Sequence, residues 1–184
     1  MVYLHGVCGN VDKIRDWTEQ ASHHVTTIAI YGNKACPTSS SRFSWNQDIE
    51  FVHQLIQNTL AEVAKTRDGQ LDVSRVVVFG YSQGASRAER LAERHPTHYP
   101  WVILGGPPST PRLEHLGGLQ RLAILVGSEE RQEHLADVAA AFTANGLPTH
   151  FDVFAGAVHG VFGRSSPDVM DRTLRWLLDD ARPQ

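Results

Sequence analysis

Residues 76–96, VVVFGYSQGASRAERLAERHP, constrain the fold of this chain more than any other stretch. Val76, Val77, Val78 and Phe79 are apolar at every position, the pattern of a strand buried on both faces of a parallel sheet. A few residues later Ala85, Ala88, Leu91 and Ala92 recur at helical spacing, with Arg87, Glu89, Arg90 and Glu93 filling the opposite face. Residue 82 therefore sits in a sharp turn from a buried strand into a helix.

The same pattern recurs along the chain. Strand-like runs stand at 2–4 (VYL), 27–31 (TIAIY), 76–79 (VVVF), 101–104 (WVIL), 122–126 (LAILV) and 151–154 (FDVF). Helix-length segments separate them: 46–66, 83–94, 130–145 and 167–180, with a weaker one at 11–23. Residues 32–45, GNKACPTSSSRFSW, are too rich in Ser, Pro and Gly to read as a regular element, and Asn46 and Asp48 are plausible caps for the helix that follows. With 184 residues and 41% hydrophobic composition the chain is expected to form one domain, 1–184, around a mostly parallel sheet of about six strands in a three-layer α/β/α sandwich.

A formal net charge of −3 and scattered arginines argue against nucleic acid as a partner. No stretch approaches the length of apolar residues needed to span a membrane. The first residues, MVYLHG, lack the pattern of a signal peptide, so at face value the chain is cytoplasmic. Its abrupt start in a strand at Val2 leaves room for a removed leader, and with it for export. Cys8 and Cys36 each follow a predicted strand and fall at one edge of the sheet, where they either form a disulfide or remain two buried thiols, the commoner arrangement for so few cysteines. Neither has neighbours at zinc-ligand spacing, and no metal or cofactor is expected.

The turn between strand and helix carries the chemistry. Ser82 lies between Gly80 and Gly84, and a nucleophile on so sharp a turn adopts unfavourable dihedrals that only tiny residues two before and two after can accommodate. Such a turn lifts the hydroxyl to the carboxyl edge of the sheet, where open α/β folds bind ligands. A base must reach it. His159, in FAGAVHG after the last strand, is positioned to do so, whereas His150 precedes its strand and belongs at the opposite edge. An acid between the two in chain order is offered by LAILVGSEERQEHL; Glu130 is preferred over Glu129 because the turn reverses at the third residue after the glycine. The backbone N–H groups of Gln83, beside the serine, and Val7, in the HGVCGN loop, are the expected pair of donors to an oxyanion, with His5 a structural hydrogen-bonder.

VYLHG, GYSQG, the acid after LVG, and AVHG together resemble the α/β-hydrolase superfamily, in particular its compact carboxylesterase and acyl-thioesterase branch, over nearly the whole chain and in the family's order. The resemblance implies Ser82 as nucleophile, His159 as base, Glu130 as acid and an oxyanion hole from Val7 and Gln83. It implies strands ordered in space as second, first, third, fourth, fifth, sixth. Two departures stand out: glutamate replaces the usual aspartate, and the antiparallel strands that normally precede the HG strand are missing. The expected activity is hydrolysis of carboxylic esters or thioesters, with an acyl-ester small molecule as partner; a silent binding protein of the same fold, or an acyltransferase, are the alternatives. The 105–120 connection, GGPPSTPRLEHLGGLQ, is too short and too broken to build a helical lid. An open groove walled by this segment and by residues 32–45 is expected.

Overall fold

The computed structural model describes residues 1–179. In chain order its elements are β1 (Val2–Leu4), a 3-10 turn (Val11–Asp16), α1 (Thr18–Ala21), β2 (Ile28–Ile30), β3 (Lys34–Cys36), β4 (Ser39–Ser44), α2 (Ile49–Lys65), β5 (Val77–Tyr81), α3 (Gln83–Arg94), β6 (Trp101–Gly105), α4 (Leu113–Leu116), β7 (Arg121–Gly127), α5 (His134–Ala144), β8 (Thr149–Phe154) and α6 (Ser166–Leu178). The expected end of the last helix at residue 180 lies outside the described residues. The main sheet runs β2-β1-β5-β6-β7-β8, the order the resemblance implies, and every pairing in it is parallel.

Alternation along these strands divides the interior into two cores. Val2, Leu4, Val78, Val102, Leu104 and Ile124 face α2, α3 and α5. Tyr3, Phe79, Tyr81, Ile103 and Leu125 face α1 and α6 on the other side. Both sets are buried, which is why the strands read as continuous apolar runs rather than as alternating ones. The chain leaves β1 toward β2 and returns to β5 on β1's other flank, so a crevice opens at the carboxyl ends of β1 and β5.

Three local expectations are corrected, and the open question of the cysteines is decided. Residues 32–45 are not irregular: β3 and β4 pair antiparallel, with a register shift between Ala35 and Cys36. Serines have weak strand propensity, and this hairpin is held from outside itself, by a bridge from Phe43 to Gly9, by packing of Phe43 on Tyr31, and by a disulfide between Cys36 and Cys8. The cysteines are therefore bridged rather than two free thiols. The 11–23 segment divides at Trp17, whose φ of −138° and ψ of −4° are not helical and whose ring is fully buried. The helix expected from residue 130 starts only at His134, after a turn in which Arg131 takes a positive φ of 52°.

Candidate active site

Ser82 is the first residue beyond β5 and has φ 53° and ψ −116°, a conformation that costs a non-glycine residue about 1 to 3 kcal/mol. The surrounding backbone enforces it. The Ser82 N–H donates to the Gly105 carbonyl at 2.8 Å, and its own carbonyl accepts the Ala85 N–H at 2.9 Å. A Cβ on Gly80 would lie 2.1 Å from the Gly84 carbonyl oxygen, and one on Gly84 would lie 2.0 Å from that of Leu4. Both glycines are required by backbone packed against backbone.

Three side chains expected from the sequence come together. Ser82 Oγ is 2.9 Å from His159 Nε2, and His159 Nδ1 is 2.5 Å from Glu130 Oε2. A carboxylate can only accept, so Nδ1 carries the ring proton and Nε2 is left to accept from the serine hydroxyl. The Glu130 side chain is 2% exposed and that of His159 is 50% exposed, which places the acid under the ring and the ring at the mouth. Glu130 Oε1 accepts the Gly127 N–H at 2.7 Å. Glu129 is not brought to the site: it is exposed, and its carboxylate accepts from Ser128 Oγ. His150 stands near the start of β8, stacked on Trp176 and 3.5 Å from Asp152.

The loop after β1 approaches from the other side. A Cβ on Gly6 would sit 3.2 Å from Ser82 Cβ, so the backbone of this loop lies against the serine. Buried His5 organises it: Nε2 accepts the Gly32 N–H at 2.9 Å, which leaves Nδ1 to donate to the Gly6 carbonyl at 2.8 Å. Burial holds the His5 imidazole below its ordinary pKa, partly offset by that bond to Gly6. Val7, with its residue 62% exposed, and Gln83 have backbone N–H groups with no acceptor among the described residues. Cys8, next to Val7, is tied to Cys36 by the disulfide and donates its N–H to Ser44 Oγ at 3.0 Å.

Ser82 and His159 open into a groove of about 660 Å³. Its walls are only in part those expected. They come from residues 5–16 and from the loop through Gly160 and Phe162, with Arg42 contributed by the β3-β4 hairpin, and the 105–120 segment does not line it. That segment instead turns at Gly106 beside Glu130 and His159, where a Cβ would come 2.8 Å from Glu130 Oε2 and 3.1 Å from His159 Cε1. It then ties back to α3 through the Arg112 N–H and Glu89. Two side chains near the site have contacts that no sequence signal indicates. Gln83 Oε1 accepts the Trp45 N–H at 2.9 Å, joining α3 to the hairpin, and Tyr81 Oη accepts the Gly160 N–H at 2.7 Å. Both occupy positions that the glycine-serine-glycine spacing leaves unspecified. Among the described residues no group of His, Cys, Asp and Glu has the arrangement of a metal site, and no helix is long and apolar enough to cross a membrane.

No protein-family model matches the sequence, and no curated protein matches it. Solved structures do resemble it. An uncharacterized protein from Bacillus cereus ATCC 10987 superposes with a TM-score of 0.73 at 15% identity over 97% of this chain, which spans 59% of that protein's length. Esterase PE8 superposes with a TM-score of 0.68 at 16% identity, over 96% of this chain and 91% of its own. An alpha-beta hydrolase from Vibrio vulnificus gives 0.62 at 13% identity, over 97% and 72%. At such identities likeness speaks to architecture, and together with the strand order it shows that this chain has the α/β-hydrolase fold.

Proposed function

We propose that the chain hydrolyses carboxylic esters, thioesters included, through an acyl-enzyme on Ser82. The observation that carries the reading is the continuous relay from Ser82 Oγ through His159 to Glu130, at 2.9 and 2.5 Å, beside two backbone N–H groups left without acceptors. Ser82 Oγ bonds to the acyl carbon while its proton passes to His159 Nε2. The carbonyl oxygen, now an oxyanion, accepts from the Val7 and Gln83 N–H groups, whose placement before the reaction is the source of their effect. Collapse breaks the bond to the leaving alcohol or thiol, which takes the proton from Nε2. Water then repeats the sequence on the acyl-enzyme and restores the serine. Glu130 orients the ring and stabilises the imidazolium that forms in each half. Likeness to esterase PE8 in fold agrees with this reading.

The test is labelling by a fluorophosphonate probe alongside hydrolysis of p-nitrophenyl acetate. Labelling at Ser82, turnover by the native chain, and loss of both in a folded Ser82→Ala variant are expected. A native chain that neither labels nor turns over would identify a silent protein of this fold, and activity within a few-fold of native in Ser82→Ala would remove Ser82 from the mechanism.

A further inference from the structure

We propose that Tyr81, the residue before Ser82, is a positioning residue whose one hydroxyl joins the loop bearing the base to the loop bearing the acid. The proposal rests on the hydrolase reading above. Strand alternation in β5 sends the Tyr81 side chain to the same side of the sheet as Phe79, where its ring lies 5.3 Å from that of His159 and 5.1 Å from that of Phe162. The neighbouring strand makes room for it: a Cβ on Gly105 would come within 2.7 Å of Tyr81 Cδ2.

The hydroxyl accepts the N–H of Gly160, the residue after His159, at 2.7 Å. Its own proton must then point elsewhere, and the acceptor in reach is Glu130 Oε1 at 3.4 Å. That oxygen also takes the Gly127 N–H at 2.7 Å, so Oε1 is held from two sides and Oε2 is left for His159. A glutamate has one more rotatable bond than the aspartate usual at such a position, and the second donor restrains that freedom. Burial raises the Tyr81 hydroxyl above its ordinary pKa, which keeps it protonated and able to donate.

The hydroxyl therefore acts on both partners. It fixes the backbone beside the base, and it draws charge from the carboxylate that stabilises the imidazolium. Two substitutions separate these effects from packing. Tyr81→Phe removes the hydroxyl; 3-fluorotyrosine installed at position 81 alone keeps the shape and makes the hydroxyl a stronger donor. With p-nitrophenyl acetate, Tyr81→Phe should lower kcat about tenfold with KM changed by about twofold or less, as expected when reacting groups lose alignment but the groove does not. The acid limb of its kcat/KM profile should move to higher pH, because the carboxylate then holds the imidazolium more strongly, and that of the fluorotyrosine protein should move to lower pH.

Fluorophosphonate labelling of Ser82 should go to completion in both variants, more slowly in Tyr81→Phe. Native kcat and native pH profiles in both would overturn the proposal while leaving the hydrolase reading intact. Reduced activity in Tyr81→Phe beside a fluorotyrosine protein with the native profile would confine the hydroxyl to the Gly160 N–H, and would overturn its link to the acid and the proposal with it. Failure of the native chain to label or turn over would instead sink the hydrolase reading, and this proposal with it.

Discussion

Reducing the bridge between Cys8 and Cys36 should cost both stability and rate, and the two losses can be worked separately. The cysteines are 28 residues apart. Releasing a loop of that length gives the unfolded chain entropy worth about 3.5 kcal/mol, or about 10 °C in melting temperature for a domain of this size. The effect on rate follows from what remains once the covalent link is gone. Cys8 adjoins Val7, the proposed oxyanion donor, and removing one such donor outright costs about 100-fold or more in kcat. Other bonds still restrain the loop: the Cys8 N–H to Ser44 Oγ at 3.0 Å, and the Gly9 N–H to both the Gly6 and Phe43 carbonyls at 3.0 Å. Partial displacement, and a fall in kcat of about tenfold, is therefore expected. Urea unfolding and p-nitrophenyl acetate turnover, each with and without dithiothreitol, measure the two quantities. A Cys8→Ser/Cys36→Ser protein should match the reduced native protein and be indifferent to reductant. Unfolded, unreduced protein should show no titratable thiol. Two titratable thiols would refute the bridge; a fully reduced protein with unchanged stability and kcat would refute the reasoning that ties it to the site.

Four further outcomes are expected. Glu130→Gln should lower kcat by about 100-fold or more through loss of ring orientation, and Glu129→Gln by less than about twofold; steady-state kinetics with the opposite ranking would move the acid role to Glu129. Gly84→Ala should destabilise by about 3 kcal/mol or more in urea unfolding, since the new Cβ meets backbone on β1 that cannot move aside, and a change below about 1 kcal/mol would contradict that packing. His5, with its pKa lowered by burial, binds fewer protons folded than unfolded, so its contribution to stability is complete above the ordinary value of 6.5 and is lost as pH falls below it; an NMR titration showing His5 protonated at or above 6.5 in the folded protein would count against this. With short-chain triglycerides, rates should pass the solubility limit without a jump or a lag, because the groove is open, and a sharp rise once droplets form would reveal a mobile cover.

The strands themselves are legible in the chain as six largely apolar runs separated by helix-length segments, whereas their order in space follows only from the resemblance to the α/β hydrolases. Ser82 is legible because a Cβ at Gly80 or Gly84 would meet backbone oxygen at about 2 Å, so the constraint is written as two glycines. The choice between Glu130 and Glu129 is less open to reading, because it depends on which carboxylate folds back onto the Gly127 N–H within one turn. The β3-β4 hairpin is not legible at all. Ser39, Ser40 and Ser41 are poor strand formers, and the hairpin's order comes from Gly9, Cys8 and Gln83, which are local to other elements. Tyr81 escapes sequence reading because nothing beside it in the chain indicates that its hydroxyl meets residues 49 and 79 positions away.

The bond from Gln83 to Trp45 bears on how this groove could be redesigned. A five-residue turn borrowed from a protein of the same fold would keep both glycines and the serine, yet without glutamine after the serine it would leave the Trp45 N–H unanswered, a defect of about 1 to 3 kcal/mol placed where the hairpin meets α3. The hairpin carries Arg42 into the groove, so the graft would alter the shape of the wall while seeming to touch only the nucleophile. Changes to the groove are better made at exposed Lys13 and Arg42, which line it and can be exchanged without removing the Gln83–Trp45 bond.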